Sequence, residues 1–372
     1  DRLRSRGLGD VYKRQVYYVR LAPVYPETNR MRTLVVKSAK MTNDESTHSA
    51  NISYAMLKDW FCSLESAEVS TGVFGTSYAR VTNEKEEIPT YARYTDENFF
   101  RVFPLVFLEG KPFTEADRRS GIHNVVLTDS YAQQLFGTTK GVVGKNFLMD
   151  YTNVKVVGVV KSGSFLTPDS YAQVYLPYSC RDGYDDEGSH WALGGYRVYI
   201  LMKESKSVTD VQDEVLELVR KFNVSDMGDG WKLDLVGQPE LYWHSTFRLW
   251  SNVAVDWGRV IWMFVGIFMV LLFVPAFNLS GMISARMERQ LPDLGIRKAF
   301  GASRRRLLVQ IIWENLLLTG LGTLLGLVIA WIVLALSGYE IFSLFEVFPK
   351  FPPKGVNLGM GIDMFFAPLI FV

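Results

Sequence analysis

Residues 137–146, GTTKGVVGKN, hold the glycines and the lysine from which a phosphate cradle could be built. That loop needs a glycine five residues before the glycine of its Gly-Lys pair, and a Ser or Thr after the lysine. Thr139 and Asn146 occupy those places, so both requirements fail, and Gly141, Gly144 and Lys145 read as a turn between strands. His48, His123, His190 and His244 are scattered, with no His-Glu-x-x-His or Cys-x-x-Cys spacing. Each reads as a surface or packing residue. Cys62 and Cys180 could pair in an oxidising compartment; spacing does not say whether they meet, and two unpaired residues is the favoured reading. The acidic run Asp182–Glu187 lacks EF-hand spacing and reads as a solvated loop. No catalytic residue, metal ligand or bound cofactor is expected.

The segment with the most pointed chemistry is 284–306. It holds Arg286, Arg289, Arg297, Lys298, Arg304, Arg305 and Arg306 against only Glu288 and Asp293, a net charge of +5. Pro292 and Gly301 bracket a short expected helix, DLGIRKAF. Leu294, Ile296, Ala299 and Phe300 give it an apolar side, and Arg297 and Lys298 give it charge. Ser303 can cap the helix that follows. Such a helix could fit a groove on a soluble partner and act as a rigid lever. It could equally lie at a membrane surface and only orient the chain. The residues alone leave both readings open.

Two apolar runs flank this segment. Residues 260–282 and 315–339 contain no charge. At about 1.5 Å per residue each can cross a hydrocarbon core of about 30 Å. A third run starts at Met364, and the sequence stops inside it. Because loops on the cytoplasmic side collect Lys and Arg, the 284–306 loop is expected inside and the large segment before Arg259 outside. Trp257, Trp262 and Trp331 then fall near the outer interface. Trp243, Trp250 and Trp257 recur every seven residues, which fits a packed stalk or plain interfacial anchoring. Gly322, Gly326 and Ala330 form a stripe of small residues that lets helices pack closely. Glu314 would lie about two turns inside the membrane, where an ionisable group is costly unless it pairs or snorkels toward Arg304–Arg306. Pro275 is expected to kink the first span.

Composition agrees once it is divided by position. The 372 residues carry a net charge of +1, with 48% hydrophobic and 21% charged residues. That excludes intrinsic disorder and leaves no basic footprint for nucleic acid. The first fifteen residues, with five basic and two acidic groups, lack the apolar stretch of a signal peptide and are expected to be a non-native leader. Residues 256–372 carry ten basic and seven acidic groups, which leaves 16–255 acidic at −5. A first span is expected ahead of Val16, and the sequence is expected to be truncated at both ends.

Residues 16–255 alternate strand and helix signals. Strands are expected at 33–39, 125–128, 154–160, 196–202 and 231–237. Ile52, Met56, Trp60 and Leu64 mark one face of a helix. Asp129 and Gly137 bracket another. Ser207 should cap a third, with Val208, Val211, Val215, Leu218 and Phe222 on its apolar face. The last strand, helix and strand read as a β-α-β unit.

Read in order, Gly110, Phe113–Asp117, Ser130–Gly137, Val143–Lys145 and Val156–Val160 resemble the MacB-like periplasmic core domain, most closely over 94–178. The resemblance implies a two-lobed α+β domain over 16–255, with the lobe 95–190 inserted between strands of the other. Arg289, Leu294, Gly295, Ile296, Arg297, Lys298, Ala299, Gly301 and Ala302, followed by Gln310 and Glu314, resemble the FtsX-like permease family of ABC transporters. Asp293 stands where that family usually has Glu. The fold expected is therefore an α+β extracytoplasmic domain followed by α-helical transmembrane segments at 259–283, 308–337 and 363–372. A cytoplasmic coupling loop at 284–307 and an outer loop at 338–362 separate them.

By resemblance the chain is a multi-pass protein of the bacterial inner membrane. Asp293, Leu294, Gly295, Ile296, Arg297, Lys298, Ala299, Gly301 and Ala302 would dock on a separate ABC ATP-binding subunit, which binds the ATP. A homodimer or paired permease, membrane lipid and a periplasmic partner complete the expected set, with no nucleic acid. A membrane-anchored sensor is the alternative, weakened by an inner loop too short for an output domain. An outer-facing enzyme lacks any convergent nucleophile, base or metal set.

Overall fold

The structure is a computed structural model. It describes residues 27–332 apart from 30, 84, 85, 164–166, 168, 186–190, 226–229, 249, 302, 304, 306, 308, 314, 315, 318, 319, 323, 327, 330 and 331. The chain forms two compact units, divided between Val255 and Asp256.

The first unit is α+β. Its elements run β1 (Thr33–Val36), β2 (Ala39–Thr42), β3 (Thr47–Ile52), α1 (Tyr54–Asp59), β4 (Ala67–Asn83), β5 (Glu86–Thr95) and α2 (Phe99–Val102). Then come β6 (Phe107–Gly110), α3 (Glu115–Arg119), β7 (Asn124–Thr128), α4 (Asp129–Phe136), β8 (Asn146–Met149), β9 (Thr152–Val160) and β10 (Val174–Pro177). Last are β11 (Leu193–Gly194), β12 (Tyr196–Met202), α5 (Val208–Val224), β13 (Lys232–Asp234) and β14 (Glu240–Leu241). The main path through the sheet is β13-β2-β3-β12-β4-β5-β10-β7-β9-β6. The 17-residue β4 is its longest strand.

Three buried clusters pack on this sheet. One gathers Ile52, Met56, Leu57, Val198, Val211, Val215 and Phe222 from β3, α1, β12 and α5. A second joins Phe99, Phe103, Tyr175, Tyr199 and Tyr242. A third holds Ala79, Val81, Val125, Leu127, Tyr131, Val156 and Leu176. β4 contributes to the second cluster through Val69 and Val73 and to the third through Ala79 and Val81, so one strand is shared between cores.

Several sequence expectations hold and several shift. Ser207 caps α5 in a full capping box with Asp210, and Val211, Val215 and Phe222 are buried. Gly137 ends α4 at φ +71°. The expected helix on the Ile52–Leu64 face is shorter: Ile52 ends β3, Ser53 caps α1, and Phe61–Ser63 is a 3₁₀ turn. All four residues still reach the same core. Thr128, not Asp129, occupies the N-cap of α4. Asp129 Oδ1 instead accepts from the Ser130 and Ser162 N–H groups at 2.8 and 2.9 Å, which ties α4 to the chain leaving β9. The expected β-α-β unit is not a pair of neighbouring strands. β13 pairs antiparallel with β2, whereas β12 lies between β1 and β4.

The second unit begins with α6 (Trp257–Ala299), 43 residues in one helix that Asp256 caps. The separate short helix expected after Pro292 is part of it. A proline removes one hydrogen bond of the ladder, and the helix carries on through both Pro275 and Pro292. Gly301, at φ +86°, follows its end. Ile261, Trp262, Phe264, Phe268, Val270 and Phe277 on α6 are exposed. Backbone at 309–313, 316–317, 320–322, 324–326 and 328–329 is helical. Among the described residues no helix is long and apolar enough to cross a membrane.

Candidate functional site

The expected coupling residues sit at the C-terminal end of α6. Asp293, Leu294, Gly295, Ile296, Arg297, Lys298 and Ala299 all have helical backbone, and Gly301 follows. The Phe300 N–H donates to Ile296 O and the Gly301 N–H to Lys298 O, both at 3.1 Å, so the last turn is closed by backbone bonds. Ile296 is 58% exposed and Phe300 88%, which leaves an apolar tip open on this unit. The Leu307 N–H donates to Ser303 O at 3.2 Å, which starts the next helical turn at Ser303. A Cβ built on Gly322 or Gly326 would meet nothing within 4 Å. Ala302, Glu314 and Ala330 lie outside the described residues.

The first unit holds a buried polar system that sequence reading missed. Asp169 is 5% exposed and bridges two cations: Lys37 Nζ lies 3.3 Å from Oδ2, and Arg197 Nη1 lies 3.1 Å from Oδ1. Burial alone would raise this carboxyl, but Lys37, Arg197 and Arg93 outweigh burial and hold it down at about 2. Arg93, 2% exposed, donates from Nε and Nη2 to Tyr171 O at 3.2 and 2.9 Å. The neighbouring Ser170 hydroxyl donates to Glu27 Oε1 at 3.1 Å, and the Tyr242 hydroxyl donates to the same oxygen at 2.6 Å. One hint was present: Arg93 is a lone charge within the strand sequence YARYT.

A second buried carboxylate, Asp96, follows β5. It accepts from the Thr71 hydroxyl at 2.5 Å and from the N–H groups of Gly72 and Phe99 at 3.3 and 3.2 Å. Burial pushes its carboxyl up to about 7 against the pull of the Thr71 bond, with Glu97 adding to the rise and Arg118 opposing it.

The phosphate-loop look-alike is a turn. The Gly144 N–H donates to Val156 O and the Lys145 N–H to Val142 O, so these amides are spent inside the protein. Cys62 and Cys180 are free thiols. The His48 ring packs on Trp231 and the His244 ring on Trp243. Among the described residues no cluster of His, Cys, Asp and Glu is placed to hold a metal ion.

An α+β domain that continues along the chain into a long helix with exposed apolar side chains defines the class. The family models agree with that division. The MacB-like periplasmic core domain matches residues 20–218, and the FtsX-like permease C-terminal region matches 252–372. The chain belongs to the FtsX-like ABC permeases that carry a MacB-like periplasmic core domain.

Among curated relatives, the macrolide export ATP-binding/permease protein MacB of Escherichia coli O157:H7 is 22% identical over 268 residues, 70% of this chain and 39% of its own length. The pyoverdine export ATP-binding/permease protein PvdT of Pseudomonas entomophila is 25% identical over 237 residues, 62% of this chain and 34% of its own length. The chain thus spans well under half of these relatives. The solved periplasmic region of MacB from Actinobacillus actinomycetemcomitans aligns at a TM-score of 0.39 and 16% identity, covering 53% of this chain and 88% of that one. The extracellular domain of the ABC-type transporter YknZ aligns at 0.37 and 15%, over 53% and 99%.

Proposed function

We propose that this chain is the permease subunit of an ABC-type complex, in which ATP hydrolysis by a separate subunit drives motion of the outer domain. The observation that carries this reading is the joining of two matched regions in one chain, a periplasmic core domain followed by a permease region. The subunit itself performs no covalent chemistry, and ATP belongs to the partner. Residues 260–282 and 315–339 are its spans through the inner membrane, each long enough for a core of about 30 Å. The outer domain faces the periplasm, because residues 284–306, most of them in α6, carry the net positive charge expected on the inner side. Two copies pair through the Gly322–Gly326 stripe, with lipid around them. The relatives' names, both exporters, support efflux as the task.

Residues 293–302 form the docking surface for the ATPase. The exposed Ile296, Lys298 and Phe300 support this, since an apolar tip beside a charge suits a groove on a soluble partner. The test is charge reversal at Arg297 and Lys298 in the full chain, co-expressed with an ATP-binding cassette partner subunit. Copurification and ATP turnover of the complex should both fall at least tenfold. Unchanged association would overturn the docking assignment.

A further inference from the structure

Glu27 lies six residues before β1 begins at Thr33, and Tyr242 lies fifteen residues before α6 begins at Trp257. The two side chains meet: the Tyr242 hydroxyl donates to Glu27 Oε1 at 2.6 Å. The chain entering β1 and the chain leaving β14 are therefore fastened at one buried carboxylate, which is 3% exposed. The same oxygen receives the hydroxyl of Ser170 at 3.1 Å, from a residue 143 positions away in the chain between β9 and β10. Ser170 is itself held, its carbonyl accepting from the Tyr175 hydroxyl at 2.9 Å.

The next residue back continues the path. Asp169 reaches Lys37 and Arg197, at the end of β1 and the start of β12. The Lys37 N–H donates to Gln238 Oε1 at 2.6 Å, and Gln238 Nε2 donates to Ser38 O at 3.1 Å and Leu235 O at 3.0 Å. The Ser38 hydroxyl donates to Ser251 O at 2.5 Å. The Tyr242 N–H donates to Thr33 O at 2.8 Å. The contacts close a ring: Glu27 to Ser170, Asp169 to Lys37, Gln238 along the chain to Tyr242, and back to Glu27. A closed ring of largely buried polar contacts resists being pulled apart, because each broken bond strands a desolvated group.

We propose that Glu27 is a clamp through which displacement of the chain entering β1 and the chain leaving β14 is passed to the segment 169–173, and from there to β12 through Asp169. The proposal rests on the permease reading only for the origin of the displacement. Within the domain, Ser170 and Asp169 are the far end of the clamp and Tyr242 the near end. The segment they control feeds β10, which lies between β5 and β7.

Hydrogen exchange of the full chain in detergent tests the coupling without ATP or a partner. Tyr242→Phe and Ser170→Ala each remove one bond to Glu27 and keep the packing shape nearly intact. Tyr242→Phe should raise exchange about fivefold in peptides covering 169–175 as well as in 238–245. Ser170→Ala should raise it by a similar factor in 238–245. The double variant should exceed the larger single change by less than twofold, since either substitution already opens the clamp. Thr246→Ala, which removes an exposed bond to Trp243 O near the same chain end, should change only 243–250. Effects confined to each mutated segment, single changes that multiply in the double variant, or a Thr246→Ala effect that spreads to 169–175 would each overturn the clamp. If the exchange pattern holds while charge reversal at Arg297 and Lys298 leaves the ATPase bound, the docking reading fails and the clamp stands.

Discussion

The Arg118 guanidinium holds the Glu97 carboxylate by two hydrogen bonds, Nε to Oε2 at 2.8 Å and Nη2 to Oε1 at 3.1 Å. The pair joins α3 to the turn that precedes α2, and both side chains are largely shielded. The guanidinium also lies over the Tyr178 ring at 5.3 Å. A lysine can supply the charge but not the fork or the flat face. Arg118→Lys should therefore cost about 1–2 kcal/mol in denaturant unfolding of the full chain. A double cycle with Glu97→Gln should show that most of the loss is shared. Additive losses would mean that the fork contributes little.

Asp96 makes stability depend on pH near neutrality. Its carboxyl is raised in the folded state to about 7, because burial penalises the charged form. The neutral form therefore stabilises the fold fully below the unfolded value of about 4, and this contribution is lost as pH rises through 7. The difference is on the order of a few kcal/mol. Thr71, Gly72 and Phe99 bond the carboxyl, and Glu97 and Arg118 act on it from α2's approach and α3. Unfolding midpoints should fall between about pH 4 and 7 and level off above, and Asp96→Asn should flatten that slope. Asp169, held low, acts only below about pH 4 and leaves the window clear. An unchanged slope in Asp96→Asn would place the dependence elsewhere.

Gly110 and Gly141 separate backbone strain from crowding. Both have positive φ, +73° and +68°. A Cβ at Gly110 would lie 2.1 Å from Val157 O and 2.9 Å from Gly158 Cα, whereas at Gly141 it would meet nothing within 4 Å. Gly141→Ala should cost about 1 kcal/mol through φ alone. Gly110→Ala must also push apart β6 and β9, and should cost about 3 kcal/mol or more. Equal shifts in thermal midpoint would show that β6 moves away freely.

Gly322 and Gly326 offer a test of pairing. Leucine at both positions removes the close-approach surface while keeping the segment apolar. Self-association of the full chain in a membrane dimerisation assay should fall several-fold. Undiminished association would move the paired surface to another face.

The strands that could be read directly are those whose buried neighbours are aliphatic: VVLT, VKVVGVV and YRVYILM form as expected, and of the strand expected at 33–39 TLVV forms, with Ala39 already opening β2. The hairpin β4–β5 gave no such signal. Thr71, Thr90, Arg93 and Thr95 are buried in it, satisfied by partners that alternation of apolar residues cannot reveal. The buried carboxylates were illegible for a related reason. Asp169 meets Lys37 across 132 positions, and Asp96 meets Thr71 across 25, distances over which local patterning carries no information. At the end of α6 the residues were legible and the boundary was not: Pro292 looked like a start, but the helix was already under way.

The adjacency of β5 and β10 has a consequence for how such proteins diversify. On the main path every strand beyond β5, namely β10, β7, β9 and β6, comes from residues 107–177, one unbroken stretch of chain. That stretch pairs with the remaining strands through β10 to β5 and β8 to β4. It could thus be exchanged between relatives as a block, with β5 and β4 as the strands that receive it. Variation in what the α+β unit touches can accumulate there while the strands on the other side of β5 keep their pairing.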